Sequence, residues 1–226
     1  MGHLVWNCYK AGCSVSGGTR VHLTAADIRK SLGSVAEETH SVTMEKPEWL
    51  VRDYDAIKPF CDQWELDPKE LGLLYDVKEH RVVFPVMQGS SMVDASGRSL
   101  SKRIPKWKRY GKSSLPYSHG RGRTAVVVED CVSAAIVGAT HGFGCSDGGV
   151  FVGVAVLGTS LSEGHRQFLS RFSTAIIALD PDALPKTLQF AKELRGYVET
   201  VKVLRLTDDI KYRNPTDLEN LTALGE

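Results

Sequence analysis

Apolar and polar positions change their rhythm near Thr124. Beyond it, runs of consecutive apolar residues alternate with segments of helical period. Thr124-Ala-Val-Val-Val-Glu129 leads into a small-residue helix at 132–139, and Phe151-Val-Gly-Val-Ala-Val-Leu157 into a helix at 162–171. Thr174-Ala-Ile-Ile-Ala-Leu179 leads into an amphipathic helix at 184–195 stopped by Gly196, and a strand at 199–206 into a last helix starting near Pro215. Unbroken apolar runs are what strands buried on both faces require. Their alternation with helices predicts right-handed crossovers, hence an α/β fold with a mostly parallel sheet flanked by helices.

Upstream the pattern is weaker. The first 24 residues, rich in Gly, Ser and Cys, read as irregular structure, and Thr24 reads as the N-cap of a short helix at 25–32 stopped by Gly33. A linker follows to Pro47. Helices are expected at 49–64, interrupted near Pro59, and at 67–74. Val82-Val-Phe-Pro-Val-Met87 reads as a strand, and Pro85 suggests an edge position. The expected organisation is an N-terminal segment at 1–47, a smaller mixed α+β basic subdomain at 48–123 and the α/β domain at 124–226.

Composition narrows the class. With 226 residues, 42% hydrophobic and 24% charged, the chain resembles an ordinary globular protein. No run approaches the roughly 20 apolar residues of a membrane span, and the start lacks the features of a secretory leader. Five cysteines, an odd number, fit reduced thiols in a cytoplasm better than a disulfide framework. The net charge of +1 hides an uneven distribution. Arg98, Lys102, Arg103, Lys106, Lys108, Arg109, Lys112, Arg121 and Arg123 fall in one stretch without an acid, interleaved with Trp107, Tyr110 and Tyr117. A charge run is often only a solvated face. Cations among aromatic rings also suit a single-stranded nucleic acid, with charges on phosphates and rings on bases.

The ends of the regular strands carry the chemistry. They run into Glu129-Asp130, Gly158-Thr159-Ser160, Asp180-Pro181-Asp182 and Thr207-Asp208-Asp209. In a parallel sheet these points share the carboxyl edge, where ligands bind. Asp180 and Asp182, two apart in an extended loop, would face the same side and could share one cation. Mg²⁺ commonly takes one or two protein carboxylates together with substrate phosphates. The bland alternative is a pair of acids at a helix start.

This ordered series resembles the motifs of the Toprim domain: Val126-Val-Val-Glu129, Ala155-Val-Leu-Gly-Thr-Ser160 and Ile176-Ile-Ala-Leu-Asp-Pro-Asp182. It is most similar to the catalytic core of bacterial and phage replicative primases of the DnaG type. Arg81-Val-Val-Phe-Pro-Val86, Gly97-Arg98 and Pro105-Lys-Trp107 resemble the subdomain that precedes Toprim in these enzymes. The resemblance implies a catalytic role for Glu129, Asp180 and Asp182, which would also hold Mg²⁺ or Mn²⁺, with Asp208 as a further candidate ligand. It implies that Arg98 and Lys106 lie near the catalytic centre and that Gly158 and Thr159 form a turn a phosphate can approach. Lys102, Arg103, Lys108 and Arg109 join them as candidate contacts to template and nucleotide.

The chain also departs from the family. Pro181 stands where the metal-binding pair usually encloses Gly, Ser133 stands where many primases have an acid, and only Asp217 is acidic in the expected third motif near Asn214-Pro-Thr-Asp217. The stretch from Trp6 to Gly18 resembles the second half of a zinc ribbon. It offers only Cys8 and Cys13, and a structural zinc needs four ligands, so a remnant without zinc is expected. Cys131 and Cys145 read as buried or incidental thiols, while His165 could face phosphate. The glycine-rich stretch 138–149 lacks the Lys-Ser/Thr end of a phosphate loop.

The expectation is therefore DNA-templated synthesis of short RNA primers from ribonucleoside triphosphates on single-stranded DNA. It would occur in the cytoplasm, that of a bacterial host if the protein is phage-derived, with a replicative helicase as partner. A Toprim nuclease would share the acids without needing the basic subdomain. A non-catalytic nucleic-acid-binding factor would have lost metal binding.

Overall fold

The computed structural model describes residues 2–7 and 16–21 as backbone and residues 43–102, 104–139, 151–158 and 160–225 in full. The chain divides into two compact units, Met1–Ser41 and Val42–Glu226. In the first, β1 (Gly2–Asn7) and β2 (Ser16–Val21) pair antiparallel, with Gly2 opposite Val21 and Asn7 opposite Ser16. The expected irregular start is thus a pair of strands. The connecting residues, with Cys8 and Cys13, lie outside the described residues, as do the expected helix at 25–32, Arg103, Cys145 and Thr159.

The second unit holds two five-stranded sheets. The first is antiparallel, in the order β3-β4-β5-β6-β7: β3 (Leu50–Val51), β4 (Leu74–Asp76), β5 (Arg81–Gln88), β6 (Ser91–Ser99) and β7 (Trp107–Arg109). Pro85 therefore lies on the middle strand, not at an edge. Of β5, β4 pairs only with Arg81, Val82 and Val83, so that ladder has ended before Pro85, where a missing N–H is tolerated. The expected helix at 67–74 is a set of turns. Asp67 accepts the amides of Lys69 and Glu70, Gly72 takes φ +60°, and the chain enters β4. Helix α1 (Tyr54–Trp64) starts later than expected because Asp53 caps it, accepting the Ala56 amide at 3.1 Å. Pro59 lies inside this helix without breaking it.

The second sheet has the order β12-β11-β9-β10-β8. Strands β9 (Thr124–Val128), β10 (Phe151–Ala155), β11 (Thr174–Ile177) and β12 (Thr200–Val203) are parallel. β8 (Tyr117–Gly120), from the end of the basic segment, closes one edge antiparallel to β10. Helices α2 (Cys131–Gly138), α3 (Glu163–Leu169), α4 (Leu184–Leu194) and α5 (Pro215–Gly225) follow the parallel strands in turn, matching the α/β alternation of the sequence. One face of this sheet packs Val127, Ile177, Leu169 and Phe190 together. The other packs Val126, Ile136 and Leu221 into a core shared with Phe84, Val82 and Trp64 of the antiparallel half. α2 is buried throughout and lies so close to β10 that a Cβ on Gly153 would stand 2.0 Å from the Ala134 carbonyl oxygen. Glycine is the residue that admits this approach.

Strand order sets the site. The chain passes from β9 to β10 on one side, then crosses back to place β11 on the other side of β9. Ligands of open α/β sheets bind at such reversals.

Candidate active site

A cavity of about 590 Å³ opens at the carboxyl ends of β9, β10 and β11 and faces the ends of β6 and β7. The parallel half contributes Glu129, Asp130, Leu157, Gly158, Asp180, Lys186, Asp209, Lys211 and Tyr212. The antiparallel half contributes Trp64, Ser96, Arg98, Lys106, Trp107 and Arg109.

Glu129 and Asp180 come from neighbouring strands and are the least committed acids of the cavity. The Asp180 carboxylate makes no hydrogen bond or ion pair among the described residues, and Glu129 has only Lys186 Nζ at 3.6 Å. Burial raises the Asp180 carboxyl above its ordinary value, and the nearby Glu129 carboxylate raises it further. A divalent cation between the two would relieve that repulsion, and this pair is the one that could hold it. No group of three or more metal-ligating side chains converges among the described residues.

Opposite stand two cations. Arg98 lies with its guanidinium carbon 5.4 Å from the centre of the Trp107 ring, and burial lowers its affinity for its proton. Lys106 is lowered first by Arg98 beside it and then by burial. Neither has an ion pair among the described residues. Their segment is held from below by Arg81, fully buried, whose Nη1 donates to the Pro105 carbonyl at 2.9 Å and the Lys106 carbonyl at 3.4 Å. The Ser99 amide donates to the Lys106 carbonyl at 3.0 Å, tying the loop to the end of β6.

The turn after β10 forms the cavity wall. Leu157 takes φ +53°, a left-handed conformation that costs a side-chain-bearing residue about 1 kcal/mol or more. A Cβ on Gly158 would meet only the Val156 carbonyl oxygen, at 3.8 Å. The fold itself gives no reason for glycine there, whereas an approaching ligand would.

The other expected residues are placed differently. Pro181–Ala183 form a turn of 3₁₀ helix, with the Ala183 amide donating to the Asp180 carbonyl at 2.9 Å. This rotation exposes Asp182 and leaves it outside the cavity lining, so the two aspartates do not face one side as an extended loop would require. Asp182 still acts on Asp180 through its charge. Asp208 is exposed and does not line the cavity, and its carboxylate accepts the Asp209 amide at 2.8 Å. Asp217 is fully buried and braces the same turn, accepting the Thr207 amide and hydroxyl and the Asp208 amide.

Lys102 is exposed and outside the cavity. Lys108 pairs with Glu79 at 2.5 Å, and Arg109 pairs with the buried carboxylate of Asp94. His165 is buried in α3, where its Nδ1 accepts the Ser162 amide at 3.1 Å. Burial first, then Arg109, pushes its pKa down to about 4, so at neutral pH it carries no charge for a phosphate. Cys131 is fully buried, as expected, and burial raises its thiol well above the usual range. Lys186, Lys211 and Asp209 also line the cavity. Asp209 was legible as a strand-end acid, but nothing in the sequence marked the two lysines.

The fold has counterparts among known structures. The catalytic domain of a DnaG primase bound to single-stranded DNA superposes with a TM-score of 0.58 at 14% identity, over 88% of this chain and 78% of that one. A DnaG catalytic core superposes with a TM-score of 0.50 at 16% identity, over 88% and 73%. A DNA primase of Halalkalibacterium halodurans is 32% identical over 140 residues, 58% of this chain. The chain thus has the fold of a DnaG catalytic core and, over part of its length, sequence similarity to a DNA primase. The matched stretch spans 23% of the Halalkalibacterium protein's length. No protein-family model matches the chain.

Within this fold, one of the sequence's departures from the primase pattern acquires a position. Ser133, where many primases carry an acid, has its Oγ 3.2 Å from Asp130 Oδ1 and 3.1 Å from Asp209 Oδ1. It therefore stands between two acids, able to donate to either, and adds no charge to the cavity.

Proposed function

We propose that this chain synthesises short RNA primers on single-stranded DNA, with nucleotide triphosphate and a divalent cation meeting in the cavity between its two sheets. The observation that carries the reading is the charge arrangement. Two cations without ion-pair partners, Arg98 and Lys106, face two sparsely committed carboxylates, Glu129 and Asp180. Such a cavity is electrostatically complete when it holds a polyanion and a divalent cation together. A nucleoside triphosphate with Mg²⁺ or Mn²⁺ is that combination.

Glu129 and Asp180 would hold the cation, which when bound supplies Lewis-acid charge to the reacting phosphoryl oxygens. Arg98 and Lys106 would orient the triphosphate and offset charge that builds on the departing pyrophosphate. Gly158 would let phosphate approach the backbone. Trp64, Trp107 and Tyr212 line the same space with rings against which a base can lie. Template would follow the exposed cations of the basic segment, Lys102 among them.

The test is a primer-synthesis assay with single-stranded DNA, ribonucleotides and Mg²⁺ or Mn²⁺. Short RNA products are expected, and Asp180→Asn should reduce them at least about 100-fold, since the amide keeps the shape but loses charge that is worth several kcal/mol when a metal acts on phosphate. Metal-dependent cutting of labelled DNA with no RNA made would replace this reading with a nuclease. Neither product, with no cation bound, would leave a binding factor.

A further inference from the structure

We infer that Lys211 is a built-in cation that holds the place of a second metal ion, so that the site takes one divalent cation, between Glu129 and Asp180. This rests on the metal reading above and concerns the other acids of the cavity, Asp130 and Asp209.

Those two acids differ from Glu129 and Asp180 in how their oxygens are used. Asp130 Oδ1 accepts the Ser133 amide at 2.9 Å as the N-cap of α2, and the Ser133 hydroxyl lies 3.2 Å from the same atom. Its Oδ2 has Lys211 Nζ at 3.4 Å. Asp209 Oδ1 accepts the Lys211 amide at 3.2 Å and lies 3.1 Å from the Ser133 hydroxyl, while its Oδ2 pairs with Lys211 Nζ. All four carboxylate oxygens are thus engaged by donors from the chain. Asp180 has none among the described residues.

Lys211 is itself nine-tenths buried, on the 3₁₀ turn Ile210–Tyr212 that the buried Asp217 helps to position through Thr207 and Asp208. Its ammonium bridges acids that follow different strands, β9 and β12, which is the task a cation performs in a shared carboxylate site. Its charge also reaches Asp180 and Lys106 across the cavity. Burying two acids beside one another without a cation would be costly, and an ammonium fixed by the fold removes that need without any metal. Ser133 fits this exchange, because an acid at that position would take the cluster from one net negative charge to two.

Counting Mn²⁺ by electron paramagnetic resonance on the full chain, without nucleotide, tests this. One bound ion per chain is expected, lost in Asp180→Asn and retained within about twofold in affinity in Asp209→Asn. Lys211→Met, which frees the Oδ2 atoms of Asp130 and Asp209, should bind a second Mn²⁺. Two ions on the unaltered chain, or loss of the ion in Asp209→Asn, overturns the assignment while leaving the metal reading intact. A folded Lys211→Met variant that still binds one ion also overturns it. No Mn²⁺ on the unaltered chain overturns both readings. Circular dichroism establishes that each variant is folded, and if Lys211→Met is not, Mn²⁺ binding by Asp209→Asn decides.

Discussion

The two sheets present opposite charges to one cavity, yet each sorts its charges in the same way. On the antiparallel side Arg98 and Lys106 have no ion pair among the described residues, while Lys108 and Arg109, a few residues further on, are paired with Glu79 and Asp94. On the parallel side Glu129 and Asp180 are sparsely engaged, while Asp130, next in sequence to Glu129, is tied to Lys211 and Ser133. Adjacent residues of like charge therefore do unlike work. A charge with a fixed partner holds the fold together, whereas one without is available to a ligand.

If paired charges hold the fold, removing a buried one should cost the most stability. Asp94 is fully buried and accepts the amides of Ala95, Gly111 and Ser113 together with the Arg109 guanidinium. Asp94→Ala leaves Arg109 without its partner and those amides unsatisfied, and should cost about 3–5 kcal/mol in urea unfolding. A loss below about 1 kcal/mol would mean that this pair does not organise the antiparallel half.

Next come the unpaired cations. Arg98→Ala and Lys106→Ala should each weaken nucleoside triphosphate binding by roughly tenfold or more, the usual scale of a charge-assisted hydrogen bond. Unfolding free energy should change by less than about 1 kcal/mol. Isothermal titration on both variants measures the first quantity and chemical denaturation the second. Equal binding by the unaltered chain and both variants would remove these residues from the site.

Asp180 sharpens the contrast through pH. Its carboxyl is raised in the folded chain, by burial first and Glu129 second, so its contribution to stability is full below the ordinary aspartate range and lost as pH rises through the raised value. At neutral pH and without metal, the ionised group opposes folding. Asp180→Asn should then melt slightly above the unaltered chain, and the difference should vanish in acid. A lower melting temperature at neutral pH would reveal that the carboxylate has a stabilising partner. Mn²⁺ binding should weaken as pH falls through the same raised value, because proton and cation compete for the same oxygens.

The smallest effect is expected at the rim. Lys108 is partly exposed beside Glu79, and such pairs contribute about 0–1 kcal/mol. Lys108→Ala should barely move the unfolding midpoint and should leave triphosphate binding within about twofold. A tenfold loss of binding would place Lys108 with Arg98 and Lys106.

Much of this protein was written in its apolar pattern. Val126, Val127, Ile176 and Ile177 lie in runs that only a doubly covered parallel strand can use, and the strand-end acids fell where such strands must end. Glu129, Asp180, Arg98, Lys106 and Gly158, all named from the sequence, meet in one cavity. The sequence could not say that β11 lies beside β9, which brings Asp180 to Glu129, because strand order depends on packing between distant segments. Nor could it show that Pro181 opens a 3₁₀ turn that carries Asp182 outward, or that Asp94 and Glu79 claim Arg109 and Lys108. Periodicity reports which face of an element is buried, and it is local. Whether a charge meets a partner depends on residues far along the chain, 76 positions apart for Ser133 and Asp209. The apolar pattern therefore set the sheet and the acids at its strand ends, and long-range packing chose which charges stay without a partner.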